Sequence, residues 1–199
     1  MGDLTIILEI KNKQSHEWME CVFMALIGQT KVDLSVVITS KHKLDYLQKE
    51  IEYLKKFCSV EVTNSKTKKI VKNINTKYLV VIDETDILYP HFSYTLIKYL
   101  EENIDDNVVY GTSFLTLLDS QLGEVTKSKY KGDIYFYDKK NDPRKEIYSN
   151  ACLYRVDFLK TNKLKYDEKL LWRSAKIYEI KYFERDLSEK WHYEDSKNK

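Results

Sequence analysis

The chain has 199 residues, of which 43% are hydrophobic, and this is enough for one domain with a buried core. Its 33 basic and 31 acidic residues leave a net charge of +2, so we expect no nucleic-acid partner. The longest apolar run, Val22–Ile27, is far too short for a transmembrane segment, and charges interrupt the amino-terminal run of a signal peptide. Three widely spaced cysteines, Cys21, Cys58 and Cys152, are typical of a reducing compartment, which predicts a cytoplasmic protein.

The first hundred residues alternate between predicted strands and predicted helices. Strands are predicted at Leu4–Ile10, Leu34–Thr39, Ser59–Thr63 and Tyr78–Asp83. Helices are predicted from the cap residue Ser15 to Gly28, and at Lys43–Phe57, Lys66–Ile74 and Pro90–Asn103. Strands separated by helices of this length favour right-handed crossovers, so we predict an α/β fold with a mostly parallel sheet covered by helices on both faces. This first half is Rossmann-like, but it has no glycine-rich phosphate loop.

The pattern changes in the second half of the chain. Apolar or alternating segments predict strands or turns of helix at Asn107–Leu118, Gly132–Lys140, Asn150–Arg155, Asp157–Asn162 and Lys176–Tyr182. Most of the 16 tyrosines lie in this half, which we interpret as mixed in strand direction. We therefore expect a single domain over residues 1–193, with a nucleotide-binding half (1–106) and an acceptor half (107–193), followed by a frayed tail (194–199).

Three carboxylates follow the most apolar predicted strand. Asp83, Glu84 and Asp86 stand at its carboxyl end, where open α/β sheets bind their ligands. Such a cluster is suited to Mg²⁺ or Mn²⁺, and through the cation to a diphosphate. The alternative is a helix start, because acids favour the first turn and Pro90 suits an early helical position.

The order of these features resembles the family 2 glycosyltransferases of the GT-A fold. The resemblance rests on Asn12 after the first strand, the Gly28-Gln29-Thr30 helix end, the acidic motif in VVIDETDILYP, and the segment Asn150–Glu168. It implies a GT-A-like enzyme that transfers a sugar from a nucleotide-sugar donor to the hydroxyl of a sugar or glycan acceptor, with inversion. It also implies that Asp83, Asp86 and Glu84 hold the metal ion.

Three positions depart from the family pattern. Thr39 and Ser40 replace the acids that usually end the second strand, and Thr85 occupies the third position of the acidic motif. Ser174-Ala175 stands where the resemblance places the general base, and neither side chain accepts a proton near neutral pH. Only two carboxylates of the preceding turn, Asp167 and Glu168, remain as weak candidates for the base.

The resemblance also suggests contacts to the donor. Candidates are Asn12, Thr39, Ser40, Lys66 and Lys72, together with His192 as a possible diphosphate contact. The alternatives are a solvated lysine-rich helix face and an exposed histidine near the chain end.

Two functions remain open at this point. The chain is either an active glycosyltransferase or a catalytically impaired protein of the same fold that acts as a binding or partner subunit, with the tyrosine-rich half forming a protein or homo-oligomer interface. A nucleotidyltransferase is a weaker third hypothesis, because the expected glycine-rich first loop is missing.

Overall fold

The computed structural model describes residues 2–29, 31–105, 108–110, 114–118, 152–166, 181–182 and 188–193. The strands are β1 (Leu4–Ile10), β2 (Leu34–Ser40), β3 (Ser59–Thr63), β4 (Tyr78–Asp83), β5 (Asp86–Leu88), β6 (Val108–Tyr110), β7 (Phe114–Leu118), β8 (Cys152–Arg155), β9 (Lys181–Tyr182) and β10 (Ser188–Tyr193). The α-helices are α1 (His16–Ile27), α2 (Gln48–Leu54), α3 (Thr67–Asn73), α4 (Phe92–Glu102) and α5 (Val156–Thr161).

Seven strands form the main sheet in the order β3-β2-β1-β4-β8-β6-β9. The first four strands are parallel, whereas β8 runs antiparallel to both of its neighbours. β2 and β3 lie on one side of β1, and β4 lies on the other, so the chain reverses its direction of travel across the sheet at β1. In open α/β sheets, such a reversal opens a ligand crevice at the carboxyl ends of the strands.

Helices bury both faces of the sheet. The strand residues Leu4, Ile6 and Leu8 pack with α1, α2 and α4 in one core. The alternate residues, including Ile7, Leu79 and Val81, pack with α3 and α5 in a second core. Strands buried on both faces are apolar at every position, which is why their sequences are continuous hydrophobic runs.

The structure confirms the predicted α/β class, with a mostly parallel sheet covered on both faces. It corrects the second helix, which is a 3₁₀ turn at Asp45–Leu47 followed by the shorter α2; neither segment has a side-chain cap. Two strands, β5 and β10, were not predicted; with β7 they form a second sheet in the order β5-β10-β7. The predicted strand at residues 132–140 lies outside the described residues, and the boundary at 106/107 stays a prediction.

Among the described helices, none has the length and apolar character needed to cross a bilayer.

Candidate active site

The carboxyl ends of β2, β1 and β4 place three polar side chains side by side. The register pairs Glu9 of β1 with Thr39 of β2 on one side and with Asp83 of β4 on the other. Neighbouring strands are about 4.8 Å apart, and paired residues point to the same face of a sheet. Glu9 and Asp83 therefore lie next to each other at the point where the strand order reverses. We call Glu9, Asp83, Glu84 and Asp86 the acid corner.

Glu84 joins the end of β4 to the segment that follows β1. Its Oε1 accepts hydrogen bonds from the backbone N–H of Asn12 at 2.9 Å and from Asn12 Nδ2 at 3.0 Å. Its Oε2 accepts from the backbone N–H of Lys11 at 3.0 Å, and its carbonyl oxygen accepts from Trp18 Nε1 at 2.6 Å. Glu84 is only 2% exposed. Its carboxylate is therefore directed into the fold, where it accepts hydrogen bonds from the amides that follow β1.

Asp83 and Asp86 shape the turn between β4 and β5. Asp83 Oδ1 accepts from the backbone N–H of Thr85 at 3.0 Å and from Thr85 Oγ1 at 2.5 Å. Asp86 is buried, and its Oδ2 accepts from the backbone N–H of Asp83 at 2.8 Å. Thr85, which stands at the third position of the motif where the family pattern has an acid, thus supports the orientation of Asp83.

Glu9 belongs to this site, although we did not select it from the sequence. Its Oε1 accepts a hydrogen bond from Thr67 Oγ1 of α3, and its Oε2 lies 3.2 Å from Lys11 Nζ. Lys11 Nζ also lies 3.8 Å from Asp83 Oδ2, so one ammonium group stands near both carboxylates. The sequence does contain a feature that could have identified it: Glu9 is the only charged residue of β1 and stands near its carboxyl end, as Asp83 does in β4.

A metal ion at the acid corner would be coordinated by few protein side chains. Within the part of the chain that the structure describes, no three His, Cys, Asp or Glu side chains are grouped so as to hold a metal ion. Glu84 is directed to the amides of Lys11 and Asn12, and the buried Asp86 accepts from the Asp83 N–H, so Asp83 is the main candidate for a carboxylate ligand, with Asp86 beside it. Mg²⁺ commonly binds through one or two carboxylates together with substrate phosphates and water, so this donor set fits a cation that arrives with a diphosphate.

The predicted donor contacts on β1 and β2 lie at the same edge. Thr39 is buried and donates from Oγ1 to the carbonyl oxygen of Ser65 at 2.6 Å. Ser40 Oγ accepts from the backbone N–H of His42 at 3.0 Å. Asn12 is exposed and is oriented by Glu84. Ser40 and Asn12 are therefore more accessible at this edge than Thr39 is.

The two predicted lysine contacts occupy opposite ends of α3. Lys66 directly precedes the helix, next to Thr67, which bonds Glu9. Lys72 lies in the last turn, about 9 Å further along the helix axis at 1.5 Å per residue. Lys72 lines a different pocket, between α3 and α5.

The last described strand brings His192 towards the acid corner along the backbone. β10 runs antiparallel to β5, and Lys190 pairs with Asp86 in the register. His192 follows two residues later, about 7 Å along the strand, on the side of the turn between β4 and β5. The remaining candidates, Asp167, Glu168, Ser174 and Ala175, lie outside the described residues.

Tyr166 approaches the acid corner from the segment after α5. Burial raises its pKa well above the usual value, and the negative charges of Glu9, Asp86 and Asp83 raise it further. The tyrosine therefore stays neutral over the physiological pH range and borders the carboxylates.

The Gly28-Gln29 helix end positions the chain beyond the acid corner. Gln29 is 1% exposed, and its Nε2 donates to the carbonyl oxygens of Tyr89 at 2.8 Å and Ala25 at 3.1 Å. Its Oε1 accepts from the backbone N–H of Ser93 at 3.0 Å. One buried amide thus fixes the loop between β5 and α4 against the end of α1.

The sequence matches no protein-family model and no curated protein sequence. The structure is similar to that of S. aureus TarS, a family 2 glycosyltransferase of the GT-A fold. TarS 1–349 in complex with UDP-GlcNAc superposes with a TM-score of 0.74 at 14% identity, covering 98% of this chain and 60% of that one. TarS 1–349 in complex with UDP gives 0.70 at 14% identity over 96% and 60%, and a longer TarS structure gives 0.72 at 14% identity over 96% and 37%.

These values show that the chain has a GT-A-like fold, as its sequence pattern predicted. The chain spans 60% of the 349-residue TarS structures and 37% of the longer one. At 14% identity the likeness concerns the fold, so the chemistry must be argued from the acid corner itself.

Proposed function

We propose that the chain binds a nucleotide-sugar at the crevice between β1 and β4 and acts as a glycosyltransferase. The observation that carries this proposal is the pairing of Glu9 and Asp83 at the point where the strand order reverses. TarS, which shares the fold, has been crystallised with UDP-GlcNAc and with UDP, and this supports a uridine nucleotide as the first donor to test.

In the proposed reaction, a hydroxyl oxygen of a sugar or glycan acceptor forms a bond to the anomeric carbon of the donor. The bond from that carbon to the diphosphate oxygen breaks, and the configuration inverts. The hydroxyl proton passes to a base, for which Asp167 and Glu168 remain the candidates of the sequence. The nucleoside diphosphate leaves with the electron pair.

The leaving diphosphate needs positive charge. We propose that Mg²⁺ or Mn²⁺ supplies it when bound through Asp83, with Asp86 beside it. Lys11 already lies between Glu9 and Asp83, and Lys66 at the start of α3 adds a second cation at this edge. Asn12, Ser40 and the backbone near Thr39 are proposed to contact the nucleoside, and His192 the diphosphate.

Calorimetry with UDP and Mn²⁺ tests this proposal directly. We expect the native chain to bind UDP more tightly with Mn²⁺ than without it, and Asp83→Asn to lose most of the difference. Asp45→Asn, which removes an exposed acid outside the acid corner, is the matched control and should bind as the native chain does. Absence of heat for the native chain with UDP, and with the other nucleoside diphosphates in turn, would rule out a donor site here.

A second candidate function is a subunit that binds without catalysis. The observation favouring it is the engagement of Glu84 by backbone amides together with the Ser174-Ala175 pair at the expected base position. The chain is incubated with UDP-GlcNAc, and the amount of UDP released is measured to separate the two functions. A chain that binds UDP but releases none from any UDP-sugar, while it co-elutes with a protein partner or as a homo-oligomer, would fit the second function.

A further inference from the structure

A pocket lies on the same face of the sheet as the acid corner, towards the amino-terminal end of β4. It has a volume of about 490 Å³ and opens between α3 and α5. Its floor includes Leu79, which precedes Asp83 by four residues and so lies about 13 Å from it along β4. No member of the acid corner lines it. The volume is in the range of pockets that bind small molecules.

The pocket is lined by aliphatic side chains, by lysines and by Tyr166, the tyrosine that also approaches the acid corner. The floor is apolar, with Val71, Leu79, Val156, Leu159 and Leu164. The rim carries six exposed lysines: Lys68, Lys69 and Lys72 from α3, and Lys160, Lys163 and Lys165 from α5 and the turn after it. Among the described residues that line the pocket, none is an aspartate or glutamate. We call this feature the lysine pocket.

Two of the lysines stand where the fold would favour another residue. Lys163 has a φ of 51°, in the left-handed region that glycine adopts without steric cost. It ends α5 in a tight turn, in which the Leu164 N–H donates to the carbonyl oxygen of Leu159 at 2.9 Å. Glycine would serve this turn better, so the lysine at position 163 has a conformational cost.

Lys68 lies in the first turn of α3, and that turn contains no acidic residue. The amino terminus of a helix is its positive end, so a cation there opposes the helix dipole. Residues that break local rules in this way cluster at functional sites. Both departures, at Lys163 and at Lys68, place positive charge on the rim of the same pocket.

We propose that the lysine pocket binds an amphiphilic anion, namely a small molecule with a phosphate or phosphodiester group and an apolar body. The apolar floor covers the body, and lysines from both sides hold the anionic group. Lysine is suited to this role because its ammonium is a compact point charge on a flexible stem. This ligand is distinct from the donor of the proposed transfer, since the acid corner repels anions and binds a diphosphate only with a cation.

Octyl phosphate is the probe, and its binding is measured by calorimetry. Inorganic phosphate, which has the charge alone, and octyl glucoside, which has the apolar chain without the charge, are measured for comparison. We expect octyl phosphate to bind at least about tenfold more tightly than either, because only it supplies both charge and an apolar body. The double variant Lys68→Gln/Lys160→Gln should lose about tenfold in affinity. The matched control Lys49→Gln/Lys56→Gln removes two exposed lysines, one from α2 and one from the turn after it, on the opposite face, and should bind as the native chain does.

Lys163→Gly distinguishes a ligand contact from a merely structural residue. We expect this variant to melt at a higher temperature than the native chain and to bind octyl phosphate more weakly. A loss of both stability and binding would show that the side chain serves the fold and would overturn its assignment. Octyl phosphate that fails to bind, or that binds the double variant and the control equally, would overturn the pocket as an anion site.

Vesicles identify the natural source of the anionic group. Phosphatidylcholine vesicles with and without phosphatidylglycerol are compared by co-sedimentation, using the native chain and the double variant. Binding that requires phosphatidylglycerol and is lost in the double variant supports the site and assigns a membrane lipid. Absence of vesicle binding with retained octyl phosphate binding supports the site and assigns a soluble molecule.

Discussion

The acid corner and the lysine pocket share one face of one sheet but are built in opposite ways. Glu84 and Asp86 are buried, and backbone N–H groups donate to both, so these acids are part of the framework. The six lysines of the pocket are all exposed. Removing a buried, hydrogen-bonded charge leaves its partners unsatisfied, whereas removing an exposed charge leaves the fold intact. Substitutions should therefore change stability in the acid corner and binding in the lysine pocket.

Glu84→Ala should give the largest effect on stability. It leaves three N–H groups of Lys11 and Asn12 without their acceptor at a part-buried site, which we expect to cost about 2 kcal/mol of unfolding free energy. Urea denaturation followed by circular dichroism measures this value. Asp83→Asn, in the same corner but part-exposed, is the control and should cost less than about 1 kcal/mol. Equal losses for both would contradict the structural role assigned to Glu84.

A second prediction concerns stability at alkaline pH. The pKa of Tyr166 is raised in the folded chain by burial and by nearby negative charge, so the unfolded chain releases this proton first. The contribution of Tyr166 to stability is thus complete below pH 10 and is lost as pH rises from there towards the folded pKa, by about 1.4 kcal/mol per pH unit. Tyr166→Phe should remove this part of the slope.

The matched control for Tyr166 is Tyr53→Phe, which replaces a tyrosine that is 45% exposed. Its stability should follow the native pH profile, including the contributions of the other buried groups. If Tyr166→Phe shows the native slope as well, then Tyr166 is not buried in the folded chain.

The difference between the two regions also explains what the sequence could predict. The strands of the sheet were found because parallel strands buried on both faces are continuous apolar runs, as in Leu4–Ile10 and Tyr78–Asp83. β5 was missed because it has three residues, and its partner β10 follows about one hundred residues later. A strand that depends on so distant a partner has little local signal.

Single side chains, like the strands, could be predicted only where the signal was local in the sequence. Asp83 could be selected because its position after an apolar strand is a local feature. The contacts of Glu84 could not be predicted, because they depend on the register between β1 and β4, which are about 70 residues apart. The lysines of α3 were noticed, but their gathering with Lys160, Lys163 and Lys165 required the packing of α5 beside α3.

A third prediction compares the two ends of α3 in the lysine pocket. Lys68→Gln removes a cation from the positive end of the helix and should raise stability by about 0.5 kcal/mol at low ionic strength. Lys72→Gln removes a cation from the last turn, where the dipole favours it, and should lower stability by a similar or smaller amount. Thermal melts at low and high salt check this pair, because salt should reduce both differences. Effects of the same sign would refute the dipole argument.

A small effect on stability is also expected where the acid corner meets solvent. Lys11 is paired with Glu9 at 3.2 Å, but its side chain is 57% exposed, so Lys11→Met should change the unfolding free energy by less than about 1 kcal/mol. The same variant removes the ammonium that stands near both Glu9 and Asp83. Mn²⁺ should then bind about threefold more tightly, because the cation no longer meets a positive charge at this corner.

Electron paramagnetic resonance of free Mn²⁺ measures this affinity in the absence of nucleotide. Lys11→Arg keeps the charge and should bind Mn²⁺ as the native chain does, which separates the loss of charge from the loss of the side chain. If Lys11→Met leaves the affinity unchanged, then the cation does not lie between β1 and β4. The acid corner would then be a structural counterpart of the lysine pocket, with its charges serving only the fold.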